Sequence, residues 1–213
     1  MTRYDISVAY GTETPPWPGD TPYSCGWAWD MAAGASVTVG RVMTSWHVGT
    51  HADAPRHVSL LGATSEALPL NAFSGPVTVL DARDASEGSS LTTEWLSTAL
   101  EGQRLPQRLL LRTGRSVAAG EFPDGWPSLT AEAAAWLVGG GLQLLGVDAP
   151  SVDPRTATNL AVHHAVFGGG ACVLENLHLA HVPDGDYHLI AFPVLVSGAD
   201  AAPVRAVLES RDR

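Results

Sequence analysis

The apolar positions of this chain fall into short runs with two different periods. Residues 36–44, SVTVGRVMT, alternate and are rich in β-branched side chains, which predicts a strand. DISVAYG near the start and VTVLDA at 77–82 read the same way. Between the first two lies TETPPWPGDTP, residues 12–22, where four prolines and a glycine predict a loop with little backbone freedom. Past residue 90 the period changes. LTTEWLSTALEG predicts a helix capped by Thr92 or Thr93 and stopped at Gly102. LTAEAAAWLVGGG predicts another, capped by Thr130 and ended by three glycines. TATNLAVHHAVFGGG predicts a third. Apolar strands separate them: RLLLRTG, LQLLGVDAP and ACVLENL, then YHLIAFPVLV and APVRAVLES. The expected class is α/β with a mixed sheet, β-rich at both ends.

Composition narrows the possibilities. The 213 residues are 45% hydrophobic and 16% charged, enough apolar material for one core, so residues 1–213 are expected to form a single domain. All twelve basic residues are arginine and the net charge is −10. Such a surface repels a phosphate backbone, so no nucleic-acid partner is expected. The absence of lysine removes Schiff-base chemistry and the P-loop. No apolar run approaches the roughly twenty residues of a membrane span, and MTRYDISVAYG lacks a signal-peptide core. Cys25 and Cys172 stand far apart with no paired spacing, which suits reduced thiols in a cytoplasm.

Candidate chemistry is concentrated in HVGTHADAPRH, residues 47–57, with three of the eight histidines and an aspartate. Gly49 and the Asp53-Ala54-Pro55 sequence oppose a helix, and there is no HExxH. In extended backbone His51 and Asp53 point to one side, and imidazole with carboxylate suits zinc and similar divalent ions. HHAVFGGGACVLEN adds His163, His164 and Glu175. Glu175 falls in an apolar run, where an ionised carboxylate is costly unless paired; a strand end already in water is the alternative. His178, His181 and His188 lie around a Pro-Asp-Gly turn and read as surface residues. FGGGA has neither GxGxxG spacing nor a lysine and fits a helix C-terminus. No GxSxG elbow marks a serine hydrolase.

The motif HVGTHADAPRH resembles the HxGTHxDxPxH signature of the metal-dependent cyclase-like hydrolases. The likeness runs through WPGDTP, LPLNAFSGPVTVLDA, LLLRTG, LLGVDAPSVDP, HHAVFGGGACVLENL and GDYHLIAFPV, nearly the whole chain. The blocks outside the signature resemble the arylformamidase branch. That resemblance implies a swivelling β/β/α fold, a homodimer or larger assembly, and two divalent ions per subunit, zinc or else manganese. It makes His47, His51 and Asp53 ligands of one ion, and His163 and Glu175 ligands of a second, with Asp53 and Glu175 shared. It assigns His57 to proton transfer and Trp17 to substrate contact, although with seven tryptophans in the chain the sequence alone favours packing of its own loop for Trp17. The implied reaction is hydrolysis of N-formyl-L-kynurenine to L-kynurenine and formate, in tryptophan degradation. A cyclic amide such as isatin, a biosynthetic paralogue's modified substrate, and a metal-binding module without catalysis stay open as alternatives.

Overall fold

The computed structural model describes residues 1–86 and 88–210. Its strands, in chain order, are β1 (Arg3–Asp5), β2 (Ser24–Trp29), β3 (Val39–Met43), β4 (His51–Asp53), β5 (Ser74–Asp81), β6 (Ser90–Leu91), β7 (Arg108–Arg112), β8 (Ser128–Leu129), β9 (Leu144–Val147), β10 (Cys172–Glu175), β11 (Gly185–Ile190), β12 (Ala201–Pro203) and β13 (Val207–Ser210). The helices are α1 (Thr93–Ala99), α2 (Ala131–Gly139) and α3 (Ala161–Gly168). Nine strands form one sheet in the order β1-β13-β11-β5-β7-β9-β10-β4-β12. β5, β7, β9 and β10 run parallel. The flanking pairs are antiparallel, so the sheet is mixed, as expected.

The central strands are apolar on both faces because both faces are covered. Leu110 and Leu144 turn into one core with Phe73, Val77 and Leu189. Leu109, Leu111 and Leu145 turn into the other, against Leu96 of α1, Leu137 of α2 and Val166 of α3. All three helices therefore pack on one face. Thr92 and Thr130 cap α1 and α2 through their hydroxyls, accepting from the backbone of Trp95 and Ala133.

Several elements differ from the sequence reading. The first strand is Arg3–Asp5, ahead of most of DISVAYG. The third helix begins at Ala161 instead of near Thr156, because its cap comes from Asp153, a residue well outside it. APVRAVLES is two strands, β12 and β13, separated by Val204–Ala206. β11 stops at Ile190, short of the predicted YHLIAFPVLV. β2 was not foreseen; it pairs with β3 in a hairpin set apart from the main sheet.

The histidine-rich motif enters the sheet through a turn at Gly49. This glycine has φ +68°, and a Cβ there would lie 2.8 Å from the carbonyl oxygen of Ala9. Thr50 fastens the same turn: its hydroxyl accepts from Val8 N at 2.7 Å and donates to Asn176 O at 2.6 Å. Gly49→Ala is expected to cost about 1 to 3 kcal/mol, combining the left-handed backbone with the close carbonyl. Urea unfolding measures it; a midpoint unchanged from the parent would show that the Ala9 segment yields freely.

Candidate metal centre

Three elements deliver the candidate ligands to one place. β4 carries His51 and Asp53 on the same side of the strand, two residues apart. β10 lies antiparallel beside it and pairs Glu175 with His51. The first turn of α3 brings His163, and the turn before β4 supplies His47. Past Asp53 the chain enters a short 3-10 turn, Pro55–His57, with proline in the first position, which brings His57 back over the site.

The distances show a centre with two halves. His47 Nδ1 and His51 Nε2 lie 3.1 and 3.3 Å from Asp53 Oδ1. His163 Nε2 lies 3.2 Å from the other oxygen, Oδ2. Glu175 repeats the division: Oε2 stands 3.6 Å from His51 Nε2, and Oε1 stands 3.3 Å from His163 Nε2. Each carboxylate therefore presents one oxygen to the His47/His51 side and one to the His163 side. His51, Asp53, His163 and Glu175 are all at most 4% exposed.

The outward nitrogen of each imidazole is held by an acceptor. His51 Nδ1 lies 2.9 Å from Gly49 O, His163 Nδ1 lies 2.6 Å from Asp153 Oδ2, and His47 Nε2 lies 3.0 Å from Asp200 Oδ2. An N–H directed at each acceptor leaves the other nitrogen, with its lone pair, facing the carboxylates. That is the arrangement of metal-binding histidines. Asn176, in left-handed backbone at φ 56°, donates from its amide to the carbonyls of His47 and Gly49 and so fixes the turn between the ligands.

Charge inside the centre is compensated without a cation only through protons. Burial pushes His47 down, but Asp200 and Asp53 outweigh it and hold the ring up at about 10. Burial likewise opposes protonation of His51, which Asp53 and Glu175 nevertheless hold at about 9. Burial raises Asp53, and the imidazoles of His51, His163 and His47 pull it well below the usual carboxylate range. A cation taking these atoms displaces those protons.

The residues fit divalent ions. Asp53 Oδ1 is fully buried and takes no well-formed hydrogen bond, although two imidazoles stand beside it. Two sets of donor atoms lie within 4.8 Å of one another: His51, Asp53 and Glu175, and His47, Asp53 and His57. Imidazole nitrogen and carboxylate oxygen are the donors zinc and manganese take. His164 points away, exposed on α3. His178 and His181 pair with each other, 4.9 Å between ring centroids, apart from both donor sets.

A cavity of about 340 Å³ opens onto the centre, with His47, His57, His163 and Glu175 in its wall. Trp17 and Phe122 line it too. Trp17 meets Phe122 edge-on at 5.3 Å and Trp126 at 6.0 Å, so it both packs its loop and faces the cavity. Leu160, also in the wall, holds φ at 44°, a strained conformation for a leucine.

Residues 4–154 match the Cyclase family. The chain belongs to that family. Cyclase-family relatives match over almost their full length. The kynurenine formamidase of Bacillus mycoides (strain KBAB4) is 43% identical over 204 residues, 96% of this chain and 95% of its own. That of Bordetella avium (strain 197N) is 39% identical over 205 residues, 96% of each. A solved structure described as a potential metal-dependent hydrolase with cyclase activity superposes with a TM-score of 0.84 at 27% identity, covering 100% of this chain and 99% of the other. Isatin hydrolase A from Labrenzia aggregata shares the fold, with a TM-score of 0.81 at 21% identity, covering 97% and 93%.

Asp153, Asp200 and Asn176 are parts of this site that sequence reasoning did not single out. Asp153 has two tasks: it caps α3 through the backbone of Val162 and His163, and it holds the His163 ring. Asp153→Ala is expected to weaken divalent-ion binding about 10- to 100-fold, the usual effect of losing a carboxylate behind a ligating histidine. Competition titration of the apo protein against a chromogenic chelator measures it. Unchanged affinity alongside a lowered melting temperature would make Asp153 a helix cap alone.

Proposed function

We propose that this protein is a metal-dependent arylformamidase hydrolysing N-formyl-L-kynurenine to L-kynurenine and formate. The observation that carries the reading is the doubly bridged centre, two buried carboxylates spanning three oriented imidazoles beneath an aromatic-walled cavity. Relatives 39–43% identical over 96% of the chain are kynurenine formamidases, which supports the same substrate class.

In this reading His47, His51, Asp53, His163 and Glu175 would hold a pair of divalent ions, with His47 and His51 on one side of the two carboxylates and His163 on the other; zinc is the proposed metal. Such a pair supplies Lewis acidity toward the amide carbonyl and lowers the pKa of water. The chain's own groups do the rest. Trp17 and Phe122 offer flat apolar faces to the aryl ring and bring the formyl carbon over the centre. An arylamine leaves poorly as an anion, and His57, in the cavity wall, hands its nitrogen a proton as the C–N bond breaks.

The test is direct. Purified protein should carry two equivalents of zinc and release kynurenine from N-formylkynurenine. Chelation should abolish turnover and zinc should restore it. Faster hydrolysis of isatin under the same conditions would move the protein to cyclic amides, and metal uptake without either activity would make it a binding module.

The proposed assembly is a homodimer of cytoplasmic subunits. No helix of the described residues is long and apolar enough to cross a membrane, and both cysteines are free thiols. The β2–β3 hairpin stands off the body with Trp27, Trp29, Val42 and Met43 each more than half exposed. Apolar surface of this size on both faces of an arm fits burial against a second copy of the chain. Replacing Trp27 and Trp29 together by serine should shift sedimentation from dimer to monomer. A monomeric parent, or a variant that stays dimeric, would reject the arm as the contact.

A further inference from the structure

One carboxylate beside the centre is left without a part in the proposed reaction. Asp200 directly precedes β12, and its backbone is fixed: its carbonyl accepts from Ala54 N at 2.9 Å, and the next residue, Ala201, pairs with Asp53. Its side chain therefore starts from a set position next to β4. A single oxygen, Oδ2, stands 3.0 Å from His47 Nε2 and 3.7 Å from His57 Nδ1. The two rings lie 4.4 Å apart between centroids, tilted by 44°. Asp200 is also the carboxylate of the group that water reaches, its side chain 42% exposed, whereas Asp53 and Glu175 are buried. It needs no cation to offset its burial and is free to serve as an acceptor.

An ionised carboxylate accepts and never donates. His47 Nε2, in hydrogen-bond contact with Oδ2, therefore carries its hydrogen, which leaves the Nδ1 lone pair toward Asp53. His57 Nδ1 stands just beyond hydrogen-bond distance of the same oxygen, where charge attraction favours the hydrogen on Nδ1 and leaves Nε2 to the cavity. One carboxylate thus fixes a candidate ligand and biases the ring of the candidate proton donor.

We propose that Asp200 is a positioning residue that couples His57 to the metal centre, one oxygen holding His47 by a hydrogen bond and attracting His57 Nδ1 from just beyond that distance. This rests on the reading of His57 as the general acid. In the step concerned His57 Nε2 first takes a proton from the attacking water as its oxygen bonds to the formyl carbon; the C–N bond then breaks, its electron pair goes to the arylamine nitrogen, and that nitrogen takes the proton from Nε2 while the Nδ1 hydrogen stays toward Asp200.

The experiment compares Asp200→Ala, Asp200→Asn and His57→Ala, with circular dichroism confirming that each folds. Two readouts are used: zinc affinity of the apo protein by chelator competition, and kcat and KM at saturating zinc across N-formyl anilines of graded amine basicity. Asp200→Ala should bind zinc about 10- to 100-fold more weakly. At saturating zinc it should lose at least about tenfold in kcat at unchanged KM, with the largest deficit for the most basic amines. Asp200→Asn keeps a carbonyl acceptor and should recover part of both. His57→Ala should keep its zinc and lose about 10² to 10⁴-fold, again most for basic amines. Weaker zinc binding with the parent's leaving-group dependence would show that Asp200 supports His47 alone and would overturn the coupling, as would no change in either readout. A His57→Ala deficit that ignores the leaving group, or loss of zinc from that variant, would sink the general-acid reading and this proposal together. A leaving-group effect in His57→Ala but none in Asp200→Ala would sink this proposal only.

Discussion

Two carboxylates buried side by side are the constraint on which the rest of the site depends. Asp53 and Glu175 sit on adjacent antiparallel strands, nearly sealed from water; burial and the Asp53 charge push Glu175 up, but His163 and His51 hold it below the usual carboxylate range. Ionised carboxylates in such a place are prohibitively costly without compensating positive charge. The fold provides it in a form that can be exchanged. Three imidazoles surround the pair, and the carboxylates pull each of them toward its protonated form; a bound cation would displace those protons. Because an imidazole must turn the correct nitrogen inward, each needs an outer acceptor. From this follow the Gly49 carbonyl, Asp153 and Asp200, and behind them the turn geometry that aims each acceptor.

The sheet accounts for where this assembly sits. β10 is parallel to β9 on one side and antiparallel to β4 on the other. At that change of direction the end of β10 and the strand following the histidine-rich turn meet, so ligands far apart in sequence become neighbours. α3 begins at the same point. A helix N-terminus disfavours a protonated histidine in its first turn. Asp153 resolves the conflict, since its carboxylate meets both the free backbone N–H groups and the His163 ring.

How much of this was readable depended on how local the cause was. The alternation of SVTVGRVMT and the caps Thr92 and Thr130 act within a few residues, and those elements stand where the pattern put them. The spacing of His51 and Asp53 along extended backbone likewise placed both on one side of β4. The failures have distant causes. The start of α3 was missed because its cap lies eight residues before the first helical residue, with no serine or threonine at the boundary. β2 was missed because SCGWAW packs on no core of its own chain, so neither of its faces shows a buried period. Asp200 meets His47 across 153 residues and a sheet edge, and no spacing along the chain encodes that. Glu175, in contrast, stood out because a carboxylate inside VLENL violates the local rule, and it is such violations that mark chemistry in a sequence.

The site divides its labour between rigid and adaptable parts. Most groups that bear charge are on strands or a helix start: His51 and Asp53 on β4, Glu175 on β10, His163 on α3. The groups that would meet substrate are not. Trp17 lies in the proline-rich loop, Phe122 in the segment before β8, and His57 on a 3-10 turn. Strand positions cannot drift without breaking a ladder and exposing buried charge, whereas loop side chains can be exchanged at little cost to the fold. A structure only 21% identical, an isatin hydrolase, shares the fold, and a shared fold says little about the chemistry placed on it. Specificity is therefore to be sought in the loop residues of the cavity wall, Trp17, His57 and Phe122, where exchange of a side chain changes the shape of the cavity without disturbing the strands.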